Sequence, residues 1–180
     1  MTSIFANPFG DSGAGVNAYV KALTDLTANE EPLDILSRIG TKVREAIAGL
    51  SDAQLRRPER EGKWSMRDVC RHLADAELVL AFRYRMILAH DRPPIPAYDQ
   101  DLWVEKLERE DDTETIVGDL EAVRSINLRL LRVQKAEAWE RVGIHSERGE
   151  ESLALLARMH AGHDIVHTRQ LLRIREAVMA

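Results

Sequence analysis

Cysteine is all but missing from this chain. Cys70 stands alone among 180 residues, so no disulfide can close within the chain, and a reducing, cytoplasmic setting is the expectation. Long apolar runs are missing too, and no stretch approaches the length of a membrane span, so no membrane segment is expected. Residues 1–15 have neither a basic start nor an apolar centre and do not read as a secretory signal. Positive charge is not in excess. Lys plus Arg number 25 against 30 Asp plus Glu, a balance of −5, and the arginines are spread along predicted helices. Nucleic acid is therefore not expected as a partner, since it calls for a concentrated basic face. Internal repeats and low-complexity tracts are also absent. What remains is a chain of the size of one domain, long enough to bury a full core.

Apolar residues recur at helical spacing over most of the length. Residues 7–15 (NPFGDSGAG) read as a flexible arm, followed by a short amphipathic helix carrying Val16, Tyr19, Val20, Leu23 and Leu26. Four longer helices are predicted over 32–50, 65–89, 113–135 and 152–177. Pro32 suits a first helical turn, and Leu36, Ile39, Val43, Ile47 and Leu50 stripe the first of the four. Ser65 and Asp68 form a capping-box signature at the start of the second, with Trp64 placed to pack back as a staple. Residues 91–96 (DRPPIP) hold three of the 6 prolines and break the helical pattern. They open a connection running to about residue 112, too long for a tight turn and read as a crossover over the end of a bundle. Residues 141–150 (RVGIHSERGE) suggest a small hairpin before the last helix. The fold class is therefore all-α: a four-helix bundle with a long crossover between its second and third helices, plus an extra N-terminal helix. The expected division is 1–31 for arm and short helix, and 32–180 for the bundle.

Half of the 6 histidines fall in one stretch, His160, His163 and His167. At ~100° per residue they lie within ~60° of one another, on the face that also carries Leu156, Leu171, Ile174 and Val178. Arg158, Arg169 and Arg173 point the other way. A lone histidine on an apolar face is commonly a hydrogen-bonded core residue. Three on one buried stripe need partners for six ring nitrogens, and a shared metal meets that demand for one nitrogen of each ligand. The i, i+4 pair His163 and His167 has the spacing of a helical metal grip, although the Glu of zinc proteases is replaced by Asp164. His72 lies at the margin of the second helix's core stripe, ~80° from its centre, where it can face a cavity. Asn127 interrupts the apolar stripe of Ile116, Leu120, Val123, Leu130 and Leu131. It reads either as a core amide paired across helices or as a group orienting a substrate.

Four blocks in order carry a resemblance. Gly62-Lys63-Trp64-Ser65 leads into Val69-Cys70-Arg71-His72-Leu73-Ala74-Asp75. The proline-rich segment follows, with Tyr98-Asp99 and Trp103. Then come residues 142–149 (VGIHSERG), and finally His160-Ala161-Gly162-His163 with His167. From about residue 32 onward the chain resembles DinB/YfiT-like proteins, in particular the YfiT branch. That resemblance implies a four-helix bundle and one divalent metal ion held by His72, His163 and His167, with His160 outside the ligand set and expected to support the ligands from behind. Relatives have histidine where this chain has Glu77 and Asp164, a departure that bears on substrate identity. Zinc is the default ion, and imidazole also suits nickel, iron and manganese. The metal would act as a Lewis acid that acidifies water or a thiol. Asp75 and Asp164 are candidates to orient the ligand rings from behind, Asp164 reading more readily as a surface acid. Tyr98 is a candidate proton donor on the crossover, or else a loop anchor. The resemblance implies a small-molecule substrate, with hydrolysis as the family's usual label. Its alternatives are transfer of a low-molecular-weight thiol cofactor to an electrophile, or a non-catalytic, stress-associated metal-binding bundle. It also implies a homodimer.

Overall fold

In the computed structural model, residues 14–107 and 110–180 are described. The arm read at 7–15 therefore lies, up to residue 13, outside the described residues. The elements in chain order are helices α1 (Ala14–Asp25), α2 (Pro32–Leu36), α3 (Ile39–Ile47), α4 (Asp52–Arg56) and α5 (Met66–Ala89), strand β1 (Pro94–Ile95), helices α6 (Gln100–Lys106), α7 (Thr113–Arg132) and α8 (Ala136–Trp139), strands β2 (Val142–His145) and β3 (Gly149–Ser152), and helix α9 (Leu153–Met179). The bundle is built from α2–α3, α5, α7 and α9. Helix α3 packs on α7 and α9, and so does α5, so α3 sits across the bundle from α5 and α7 across from α9, while the consecutive α5 and α7 are packed side by side.

The long helices begin where short polar side chains can take up free N–H groups. Ser65 Oγ accepts from the Asp68 amide while the Asp68 carboxylate accepts from the Ser65 amide, the reciprocal box the sequence indicates. Asp112 caps α7 through the Thr115 amide at 2.7 Å, and Ser152 caps α9 through the Leu155 amide at 3.1 Å. One apolar cluster joins Val43, Val69, Leu73, Val117, Leu120, Leu171 and Ile174 of the four bundle helices, and a second around Tyr84, Ile87, Leu131 and Leu156 fills the other end.

Two expectations change. The helix predicted over 32–50 is interrupted at Ser37–Arg38, which turns the Leu36 carbonyl to accept from Arg124 Nη1 at 2.7 Å. The crossover does not simply cap the bundle end. Arg67, near the start of α5, meets the Asp111 carbonyl just before α7, and further along Glu77 meets Arg124 and Arg85 meets Asn127. Helices α5 and α7 thus run in the same direction, and the chain must travel back along the bundle between them. It does so through β1 and α6.

The hairpin read at 141–150 is present as β2–β3, closed at Gly149 with φ +75°, and β1 adds to it in parallel. Ile95 and Ile87 press so closely on Gly143 that an added Cβ would lie 2.7 Å and 3.0 Å from them. This small sheet stands at one end of the bundle and carries His145 and Arg148 toward α5.

The N-terminal helix has found its cover on its own chain. Helix α1 crosses α9 with Val16 and Leu23 buried, and the Leu23 carbonyl would lie 2.2 Å from a Cβ at Gly162. Backbone cannot yield as a flexible side chain can. We therefore expect Gly162→Ala to displace α1 and destabilise the protein by about 1–3 kcal/mol. An unchanged urea midpoint would show that α1 does not depend on this close approach.

Candidate metal centre

Helix α5 supplies His72, and α9 supplies His163 and His167 one turn apart. One potential ligand nitrogen from each ring comes together, all within 4.8 Å of one another. His72 Nε2 and His163 Nε2 are 2.8 Å apart and share a hydrogen bond, one ring donating and the other accepting. His167 Nδ1 pairs with Gln170 Oε1 at 2.8 Å; since that oxygen only accepts, Nδ1 carries the proton and Nε2 is left with a free lone pair. Trp64 packs on the group from outside, 5.0 Å from the His72 ring and 6.4 Å from that of His167 between centroids. His163 also lines a cleft of ≈ 600 Å³, its open mouth included.

Burial is the main force on these rings. It pushes His72 and His163 well below the ordinary imidazole range, with the neighbouring His167 adding to it, and holds His167 at about 4. Three neutral imidazoles are the form that binds a metal. His163 Nδ1 is buried without a partner among the described residues, so hydrogen bonding among them does not complete this group. The donor set fits one divalent ion of the zinc, nickel, iron or manganese kind.

Beside the trio lies a charged network that sequence reasoning missed. Arg124 on α7 donates through Nε to Glu77 at 2.7 Å and through Nη1 to Asp164 at 2.6 Å. Its Nη2 donates to His160 Nε2 at 2.8 Å, which leaves the His160 proton on Nδ1, facing the Tyr84 hydroxyl at 2.8 Å. Glu77 Oε2 is also 3.2 Å from His160 Nε2; the shorter contact from an obligate donor decides the tautomer. Burial alone would raise the Glu77 carboxyl, but Arg124 and the Asn127 amide outweigh it and hold it below the ordinary carboxylate range. Asp164 is corrected here: it is no surface acid but buried and paired with Arg124. Arg124 stands within the α7 stripe, four residues after Leu120 and three before Asn127. That misplaced charge was the available signal.

The remaining candidates fall as follows. Asn127 donates to Glu77 Oε1 at 2.7 Å and accepts from Arg85 at 3.0 Å, the paired core amide of the two readings. Glu77 stays outside the ligand group, as its helical angle requires. His160 has both nitrogens occupied by Arg124 and Tyr84, and among the described residues no hydrogen bond joins it to the trio. Asp75 is buried and engaged, one turn after His72. Tyr98 lines the cleft with its ring against Trp103, 4.8 Å between centroids, and burial pushes its phenol up. Cys70 is buried, its thiol driven up to about 12, mainly by burial, so it is no nucleophile. Gln170, Trp64, Arg83 and His145 were not foreseen as parts of the site.

The family model described as the DinB superfamily matches residues 35–171. The chain belongs to the DinB superfamily. Among curated relatives of this DinB chain is the protein named "Putative metal-dependent hydrolase YfiT" from Bacillus subtilis, 28% identical over 148 residues, 78% of this chain and 82% of that one. A protein of the same description from Oceanobacillus iheyensis is 28% identical over 130 residues, covering 70% and 73%. A solved structure of YfiT from Bacillus subtilis, described as "a probable metal-dependent hydrolase with an unusual four-helix bundle topology", superposes with a TM-score of 0.68 at 28% identity over 79% of this chain and 84% of that one. No helix among the described residues is long and apolar enough to cross a membrane.

The depressed imidazoles set the acid response. Between the ordinary pKa near 6.5 and about 4, the unfolded chain takes up protons that the folded site refuses, so stability is full above 6.5 and falls as pH drops below it. Each histidine contributes about 1.4 kcal/mol per pH unit in that window. His145, held near 3, adds in the same sense. For chelator-treated protein we expect a loss of up to about 4 kcal/mol from the trio between pH 7.5 and 5.5. Glu77 plays no part there, because its own window lies below the unfolded carboxyl range. Equal urea midpoints at the two pH values would contradict the neutral, buried assignment.

Proposed function

We propose that this DinB-superfamily chain is a metal-dependent enzyme acting on a small molecule, with hydrolysis as the reaction and His72, His163 and His167 as the ligands. The observation that carries this reading is the convergence of three neutral imidazoles from two helices beside a cleft that His163 lines. Three protein ligands leave coordination positions for a substrate or water, the pattern of a catalytic rather than a structural site. The ion supplies Lewis acidity and lowers the pKa of an attacking group. The protein's own residues then do the rest. Gln170 keeps the His167 lone pair directed to the shared point, and Trp64 shields the trio. Tyr98 stands in the cleft wall where its hydroxyl can hand a proton to a leaving group. Its raised pKa keeps it protonated until then.

Zinc is the ion we assign, on the default preference of imidazole-rich sites with open positions. We place the protein in the cytoplasm on its single cysteine, and divide the chain into the bundle of 32–180 and an appended 1–31. A homodimer rests on the resemblance alone, because α1 packs its buried Val16 and Leu23 on α9 of the same chain.

Chelation should abolish hydrolysis of a panel of small amides and esters, and one equivalent of zinc should restore it. Tyr98→Phe should lower kcat by roughly 10²-fold or more with folding intact. Activity that survives chelation, or a chain that melts on chelation and has no turnover when reloaded, would count against the enzyme. Turnover only in the presence of a low-molecular-weight thiol would replace hydrolysis by thiol transfer.

A further inference from the structure

The same cleft holds two donors that the metal reading does not use. Arg83, on α5, is buried to 6% exposure. Its single hydrogen bond among the described residues runs from Nη2 to the Pro96 carbonyl at 2.8 Å, a neutral acceptor. Its Nε is buried with no partner among the described residues. No carboxylate among the described residues pairs with it. The Tyr98 ring, 5.9 Å from the guanidinium carbon, offers only a weak counter-field. A buried guanidinium with no carboxylate in direct contact is costly, and burial together with Arg148 draws its pKa down to about 10 against the partial counter-field of Glu151.

His145 ends β2 and is also buried, at 2% exposure. Its Nδ1 accepts from the amides of Glu147 at 3.2 Å and Arg148 at 3.3 Å. The proton must therefore sit on Nε2, and Nε2 is buried without an acceptor among the described residues. Two unmet donors, one charged, thus belong to residues lining one cleft with His163. Arg148, the other cleft arginine, is already neutralised by Glu151.

We propose that Arg83 and His145 form a subsite for the carboxylate of a small substrate, resting on the reading of this cleft as the substrate site. A carboxylate matches the planar fork of Arg83 and accepts from His145 with its remaining lone pairs. It would give the guanidinium the direct anionic contact that it lacks among the described residues. A phosphate dianion would bring a second charge into a cleft that already has Glu147 on its wall and Glu151 close by. Leu23, Val79, Leu80, Leu156 and Met159 give the cleft an apolar stretch of wall, which suits a substrate with a short apolar body. A carboxylate anchored here leaves the other end of the molecule to reach toward His163.

The test uses the full chain, chelator-treated so that no probe can ligate a metal, with ¹⁵N-labelled protein at pH 7. The probes are 4-methylpentanoate, its neutral amide and inorganic phosphate. 4-Methylpentanoate should shift the Glu147 and Arg148 amides and the His145 ring signal with saturation, and the amide and phosphate should bind at least tenfold more weakly. Arg83→Met should weaken the carboxylate at least tenfold and leave the amide unchanged. The acid-against-amide comparison needs no variant, so it stands even if Arg83→Met fails to fold. The subsite is overturned if acid and amide bind alike, if phosphate binds as well as the carboxylate, or if no probe binds. Because the readout is binding without metal, a chain that takes the carboxylate but has no turnover when loaded keeps the subsite and loses the enzyme.

Discussion

One guanidinium ties the bundle together. Arg124 sits on α7 and reaches Leu36 on α2, Glu77 on α5, and Asp164 and His160 on α9, so every bundle segment answers to it. Two carboxylates and one guanidinium taken out of water are stable only because each donor finds an acceptor at short range. Removing one partner of such a group typically costs about 3–5 kcal/mol, since the rest are left charged and buried. The network also explains why the first bundle helix is broken. A continuous helix would keep the Leu36 carbonyl for its own backbone, whereas the interruption at Ser37–Arg38 makes it available to Arg124.

That constraint sets the geometry of the site. Glu77 lies five residues after His72, and Asp164 is the next residue after His163. Pinning both carboxylates to Arg124 fixes how α9 slides against α5, and with it the meeting of His72 with His163 and His167. The apolar clusters supply most of the burial, but apolar contacts tolerate small shifts in register better than hydrogen-bonded charges do. The polar network thus serves as the locator for the imidazoles, which are themselves held neutral by the burial around them. On the open side, α1, the crossover and the hairpin bring Tyr19, Tyr98, His145 and Arg148 to the cleft.

Much of this was legible in the sequence. The i, i+4 spacing of His163 and His167 on a face shared with Leu156 and Leu171 placed both rings inward before any coordinates. The Ser65–Asp68 box marked the start of α5 to the residue. Other features were not local. Nothing in Asp164 itself distinguishes a buried ion-paired acid from a surface one; the difference lies in an arginine 40 residues away. The length of the 91–112 connection signalled a crossover but not that α5 and α7 would run the same way. His145 and Arg83 read as a strand residue and a helix residue, and only the docking of the small sheet against α5 shows both as donors in one cleft. The helix break followed from a tertiary hydrogen bond that no propensity encodes.

The central claim is that His72, His163 and His167 hold one metal ion together. X-ray absorption at the zinc edge, on protein loaded with one equivalent of zinc, addresses it most directly. The account predicts a nitrogen shell at about 2.0–2.1 Å with the outer scattering of three imidazole rings, reduced in His163→Ala. A shell of oxygen ligands without imidazole scattering, or a spectrum unchanged in that variant, would contradict it.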